Sequence, residues 1–377
     1  MKKVIMLAGP FYEIPPTKGA AVETWINEVS KRIITYQTHI ISISHPFLPI
    51  KEFKDGVYYH RVHIGKIYKR IFQKILGWDI RSYNKRVFSI IKEIDPDIIH
   101  IHNDTNSREI IKWIKTYNCK IKIIFHLHNE NNSLEKQDFP KINTFIGCSN
   151  FLLNLYKSKI EADKKLTLYN GVDIEKYLQK TDIKKALNNF FKDDKNTINI
   201  CYFGRISPEK GVNKFLKLAI LFKKNLNYKF HCFGEIPKRG DRKKFYESLK
   251  KIIKKENISN LKFYDFIAPQ KIHLAYNYAD IIIVPSKKEA FGMVPLEALA
   301  SKKIVISSNR GGMVEFLDNK NSFIIEDYEN FATEAKAIIE NLNIDKIEMI
   351  KKHAIKTAKK FDWFKISLQT EKVYNDT

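Results

Sequence analysis

The chain has 377 residues, 44% of them hydrophobic, enough for two domains that each bury a core. Lys and Arg number 66 against 42 Asp and Glu, a formal charge of +24. That balance points to an anionic partner such as nucleic acid, acidic lipid or a phosphorylated substrate, or to a lysine-rich codon bias. No apolar run approaches the ~20 residues that cross a bilayer. The cysteines Cys119, Cys148, Cys201 and Cys232 lack C-x-x-C spacing and read as reduced thiols of a cytoplasmic protein.

Short apolar runs alternate with helix-period segments, which predicts βαβ units and parallel sheets. Met1-Lys2-Lys3 before Val4–Ala8 has the look of a signal peptide. Its apolar part is too short, and Pro10, Glu13 and Pro15-Pro16 follow without a cleavage site, so it is taken as a first buried strand. A helix is expected over 20–34, then strands at 39–43 and 98–102, a helix at 108–117, and strands at 121–127, 144–147 and 166–169. A second set starts with strands at 198–203 and 229–233, a helix from Val212 lying between them. It continues at 261–266 and 281–285, then with a helix from Met293 and a strand at 304–307. Polar residues from Leu178 to Asn196 separate the sets, and a boundary is placed near residue 175. The expected class is α/β: two doubly wound, Rossmann-like domains with ligands at the carboxyl ends of their strands, in a cleft between them.

Two stretches carry chemistry. In Cys201–Val212, "CYFGRISPEKGV", a strand ends, Gly204 permits a tight exit, and Gly211 opens a helix. Arg205 and Lys210 lie between, a guanidinium fork and an ammonium beside a helix N-terminus, which suits a diphosphate. A solvated basic turn is the bland alternative. In Lys287–Ala300, "KKEAFGMVPLEALA", Glu289 sits on a loop and Glu297 one turn inside a helix whose first turn tolerates Pro295. The amides of Gly292, Met293 and Val294 would be free to meet an anion. The two carboxylates cannot share a helix face and are expected to touch different parts of a ligand; pairing of Glu297 with a nearby Lys is the structural alternative.

With these motifs the chain resembles glycosyltransferase family 4 (glycosyl transferases group 1), retaining enzymes of the GT-B fold. Glu289 to Glu297 is similar to that family's E-x7-E motif, and "FGRISPEKG" to its phosphate-binding Arg and Lys. "YNGVD" at 169–173 resembles the interdomain segment, and "FDWFKISLQTEKVY" at 361–374 the closing helix that returns to the first domain. "PTKGAAVE" at 16–23 resembles the glycine-rich loop after the first strand. The resemblance spans nearly the full length and implies domains at 1–175 (acceptor-binding, with 361–377 packed on it) and 176–360 (donor-binding).

The resemblance implies a role for each matching residue. Glu297 would bind the ribose hydroxyls and Glu289 the transferred sugar, while Arg205 and Lys210 neutralise the leaving diphosphate. Phe291 and the amides of Gly292, Met293 and Val294 would line the distal phosphate, with Gly19 and Ala20 approaching from the other domain. Many members carry Gly-Gly where Ala20 stands, and Ala is harder to place at positive φ. Gly204, Gly234 and Ile267 would border the donor, with the base pocket around Phe233-Gly234 and Phe266-Ile267. The family also implies a strand-end histidine at the sugar or acceptor. In "FHLHNE", 125–130, alternation puts His126 and His128 on one face; His128, followed by Asn129, is preferred. Neither is expected to bind metal, because no partner set accompanies them. Asp95-x-Asp97 mimics a metal motif of another architecture but is placed at a strand's amino end.

The implied function is retaining transfer of a hexose or N-acetylhexosamine from a nucleotide diphosphate sugar, UDP-linked for preference. The acceptor would be a glycan or lipid-linked glycan in cell-surface polysaccharide or lipopolysaccharide assembly. No cofactor and no catalytic metal are expected, and closure of the domains would exclude water. The basic and apolar stretch 66–88 could rest on an anionic membrane at the inner face, or be an ordinary packed helix. Two competing classes are a GT-B nucleotide-sugar epimerase, which would turn over without acceptor, and a nucleic-acid-binding protein, for which no recognition module is found.

Overall fold

The computed structural model describes residues 1–64, 83–102, 107–130, 134–179 and 197–377. They form two compact units, Met1–Gly171 with Trp363–Thr377, and Val172–Asp362. The division expected after residue 175 falls instead after Gly171. Most of the basic stretch 66–88 lies outside the described residues; only its end, from Tyr83, belongs to a described helix, Tyr83–Ile94.

The first unit has strands β1 (Lys3–Leu7), β2 (Gln37–Ile43), β3 (Lys51–Lys54), β4 (Val57–Val62), β5 (Ile98–His102), β6 (Lys122–Leu127), β7 (Thr144–Gly147) and β8 (Lys165–Thr167). They make one sheet in the order β3-β4-β2-β1-β5-β6-β7-β8, parallel except for the β3–β4 hairpin. That hairpin was not anticipated, because β3 is mostly exposed and carries charge at three of its four positions. Its turn is Asp55-Gly56, both left-handed (φ 51° and 77°), a two-residue connection that matches the twist of an antiparallel pair.

Helix Ala21–Ser30 is shorter than its apolar pattern suggests. Ala20 is extended (φ −141°), so the sterically costly region feared for an alanine is not used there. Beyond the other end, the Ile34 and Thr35 amides donate to Glu371 Oε1 at 2.8 and 3.0 Å. Glu371 belongs to helix Trp363–Asp376, which the chain returns to the first unit. Tyr36 Oη donates to Asn375 Oδ1 at 2.8 Å beside it. Trp25, Ile26 and Val29 join Val4, Met6, Ile98, Ile124, Ile366 and Tyr374 in one core.

The second unit has β9 (Ile198–Phe203), β10 (Tyr228–Phe233), β11 (Leu261–Tyr264), β12 (Ile281–Val284), β13 (Ile304–Ser308) and β14 (Phe323–Ile325). All pairings are parallel, in the order β11-β10-β9-β12-β13-β14. Read from β9, the chain builds outward one way and then, from β12, the other. Between β9 and β12 the connections diverge, the point at which sheets of this kind bind ligands at their strands' carboxyl ends. β12 is a buried run of Ile-Ile-Ile-Val, as a strand covered on both faces requires. Helices Val212–Leu221 and Phe331–Glu340 bring Phe215, Phe222, Phe331 and Ala335 into the core.

One buried charge costs this fold stability. Glu23, 5% exposed, has its carboxyl raised from 4.5 to about 7 by burial, with its own backbone opposing and the Glu13 charge adding. The folded chain therefore keeps a proton that the unfolded chain releases above its lower pKa. Stability is full below about pH 4.5, falls as pH rises to about 7, and falls no further above it. Glu23→Gln should raise the stability at pH 8 by on the order of 2 kcal/mol and leave it unchanged at pH 4. Urea unfolding at both pH values checks this, and an equal effect at both would contradict it.

Candidate active site

The loops leaving β9 and β12 meet at the divergence point. After Phe203 the chain turns at Gly204, whose amide donates to the Phe233 carbonyl at 3.0 Å, and Tyr202 Oη donates to the Arg205 carbonyl at 2.9 Å. The two loops are joined by the Lys287 amide donating to the Glu209 carbonyl at 2.9 Å. Gly211 (φ 71°) opens helix Val212–Leu221, and a Cβ there would stand 1.7 Å from the Pro285 carbonyl oxygen. Only a glycine lets the β9 loop pass so close to β12.

This approach sets a charge pair. Lys210 Nζ donates to Glu289 Oε1 at 2.6 Å, both side chains mostly buried, and Ser286 Oγ donates to the same oxygen at 3.0 Å. The Glu289 carbonyl accepts from the Gly312 amide at 2.9 Å, which anchors the loop from a third direction. Arg205 is more open: its side chain is 61% exposed, and its guanidinium is 3.9 Å from the Glu209 carboxylate. Lys210, for which the resemblance implies the diphosphate, and Glu289, for which it implies the sugar, thus contact each other.

Helix Met293–Ala300 starts at Gly292 (φ 108°) with no side-chain cap and no acid in its first turn. Its first amides, at Met293 and Val294, carry the positive end of the helix dipole without a competing carboxylate in that first turn. The Phe291 ring is buried against Phe316 and Phe361, at 5.0 and 5.9 Å, so it serves the core and leaves only its backbone to the loop.

Among the described residues Glu297 makes no ion pair with a lysine, although the Lys176 charge acts on it. Tyr276 Oη donates to its Oε2 at 2.6 Å, and Tyr177 also bonds to it. Burial raises the Glu297 carboxyl, the two tyrosines oppose that, and both phenols are pushed up in turn. Tyr276 also stacks on Phe203 at 4.1 Å, and Phe203 on Phe233 at 5.0 Å, so the Phe233 ring is part of the core. Gly234, Phe266 and Ile267 follow β10 and β11, Phe266 exposed and Ile267 half-buried. Sequence reasoning missed Tyr276, Tyr177, Ser286 and Gly312; only the paired glycines Gly311-Gly312 offered a local signal. A separate cavity of about 380 Å³, lined by Lys287, Arg310, Glu326, Asp327, Tyr328 and Glu329, contains neither member of the charge pair.

In the first unit Gly19 is exposed and Ala20 half-buried ahead of helix Ala21–Ser30. His126 and His128 are both buried, as are His100 and His102, and Trp25 packs on all four rings; Asn129 is exposed. The expectation that no partner set accompanies His126 is corrected: strand pairing sets His102 opposite it. Burial lowers all four imidazoles, His100 and His128 to about 3. Asp97 Oδ2 accepts from the Lys3 amide at 2.7 Å, at the amino end of the sheet and away from these rings.

Residues 182–361 match the family Glycosyl transferases group 1, and residues 22–176 match Glycosyltransferase Family 4. A lipopolysaccharide 1,2-N-acetylglucosaminetransferase of Salmonella typhimurium (strain LT2) is 31% identical over 332 residues, 84% of this chain and 83% of that one. The chain belongs to glycosyltransferase family 4. Its fold is GT-B, shared with sucrose-phosphate synthase from Thermosynechococcus elongatus (TM-score 0.81, 15% identity, 100% and 99% of the chains). Anabaena HepE, solved with UDP and glucose, aligns with this glycosyltransferase over 100% of both chains at TM-score 0.75 and 17% identity.

Gly211→Ala adds a side chain where φ and the Pro285 carbonyl both forbid it. It should destabilise this glycosyltransferase by more than about 2 kcal/mol in urea unfolding. A change within about 0.5 kcal/mol would mean that the β9 and β12 loops are not held in this approach.

Proposed function

We propose that the chain is a retaining glycosyltransferase that moves N-acetylglucosamine, or a related hexosamine or hexose, from a UDP-sugar. The acceptor is a glycan or lipid-linked glycan of cell-surface polysaccharide. The observation that carries this reading is the Lys210–Glu289 contact at the divergence of β9 and β12, beside the uncapped helix Met293–Ala300. Family membership and the Salmonella relative, a lipopolysaccharide N-acetylglucosaminetransferase, support the sugar and acceptor classes. The complex of HepE with UDP and glucose supports the nucleotide.

In this mechanism the distal phosphate takes the place of the Glu289 carboxylate at Lys210. Glu289, released, accepts hydrogen bonds from hydroxyls of the sugar. Glu297, its carboxylate oriented by Tyr276, accepts from the ribose hydroxyls. As the bond between the anomeric carbon and phosphate oxygen breaks, its electron pair collects on that oxygen. Lys210, Arg205 and the amides of Met293 and Val294 stabilise the growing charge without reorganising. The acceptor hydroxyl attacks from the face the phosphate leaves, and its proton passes to the departing oxygen. Two fixed cations do the work a divalent ion would do, so added Mg²⁺ or Mn²⁺ leaves the rate unchanged.

Arg205→Ala and Lys210→Ala should each cut transfer by roughly ten- to a thousandfold. Far-UV circular dichroism should show the fold retained, and NMR should show that the wild-type product keeps the donor's anomeric configuration. Full activity in both variants removes the diphosphate assignment. Inverted product removes the retaining mechanism, and sugar-nucleotide turnover without acceptor favours the epimerase.

A further inference from the structure

β5 and β6 carry His-x-His at their carboxyl ends, His100 and His102 on one, His126 and His128 on the other. Because alternate residues of a strand share a face, and the parallel register sets His102 opposite His126, the four rings gather under Trp25. His100, His102 and His126 are fully buried, and one ring nitrogen from each lies within 4.8 Å of the other two. Several of their ring nitrogens are not satisfied among the described residues. Nε2 of His100 and of His102 has no hydrogen-bond partner, and His126 meets the Leu168 backbone only outside good hydrogen-bond geometry. Buried polar groups are almost always partnered, so this concentration of orphaned nitrogens at one place calls for an occupant.

We propose that His100, His102 and His126 bind a divalent transition metal, with zinc as the resident ion. The other nitrogens of two of these rings are already engaged in the way metal-bound imidazoles require. His100 Nδ1 is 2.8 Å from Tyr374 Oη, and His102 Nδ1 is 3.0 Å from His128 Nε2. With the proton on each Nδ1, both Nε2 atoms present lone pairs, and the neighbour fixes tautomer and ring orientation. His126 supplies the third lone pair from the nitrogen that the Leu168 backbone does not engage. Imidazole donors without thiolate or carboxylate suit zinc and its neighbours in the first transition row, and exclude calcium and magnesium. Three-histidine zinc needs nitrogens roughly 3.4 Å apart, so small side-chain rotations close the site and leave a fourth position for water. The site lies within the first unit and is independent of the diphosphate chemistry proposed above. An ion there ties β5, β6 and, through Tyr374, helix Trp363–Asp376 into one element.

The test is cobalt and zinc binding by the full chain after dialysis against a chelator. About one Zn²⁺ per chain should be retained or taken up, with a higher melting temperature, and Co²⁺ should give the visible absorption of a tetrahedral site. His126→Asn or His100→Gln, whichever folds by circular dichroism, should weaken Co²⁺ binding at least about a hundredfold. Tyr374→Phe, which removes only a positioning hydroxyl, should weaken it roughly tenfold. His353→Asn, on a helix of the other unit, should change nothing. Folded wild-type protein that binds neither ion with one-to-one stoichiometry overturns the proposal and leaves buried water as the partner of these nitrogens. Binding unaffected by either ligand variant overturns it equally.

Discussion

An ammonium and a carboxylate held 2.6 Å apart, where the strand connections of the second unit diverge, organise the candidate active site. Neither group is near the other in sequence. Their contact needs β9 beside β12, a loop that passes a carbonyl at glycine distance, and a second loop pinned by the Gly312 amide. A mostly buried ion pair of this kind contributes little stability for its desolvation cost. In the mechanism we propose its value is positional: a cation is kept pointing at the place where an anion would arrive, with a carboxylate that would be exchanged for phosphate.

The second carboxylate is handled differently. Glu297 makes no ion pair among the described residues, though the Lys176 charge reaches it, and is held by tyrosine hydroxyls, one of which belongs to a ring stacked on Phe203 at the end of β9. The hydrophobic core of the unit and the orientation of this acid are therefore linked through a single side chain, Tyr276. Burial favours the protonated acid and outweighs the phenols and the Lys176 charge, which favour the carboxylate, so the carboxyl stays raised.

Much of this was legible in the residues. Continuous apolar runs located β9, β12 and β13 to within a residue or two, because strands buried on both faces have no polar register to misread. The motif spacing located Arg205, Lys210, Glu289 and the helix start. The β3–β4 hairpin was missed although Asp55-Gly56 signals one, since a charged edge strand has no apolar run to find. The Lys210–Glu289 contact, the tyrosines on Glu297 and the histidine cluster were beyond reach for a common reason. Each joins segments brought together only by strand order, and two His-x-His motifs 26 residues apart become one site only when β5 pairs with β6 in register.

Calorimetric titration of the protein with UDP and with uridine measures most directly whether the candidate site is built for a diphosphate. Two charge-assisted contacts and a helix N-terminus predict that UDP binds at least about a hundredfold more tightly than uridine, and that most of this difference vanishes in Lys210→Ala. Equal affinity for UDP and uridine in the wild-type protein would contradict the account.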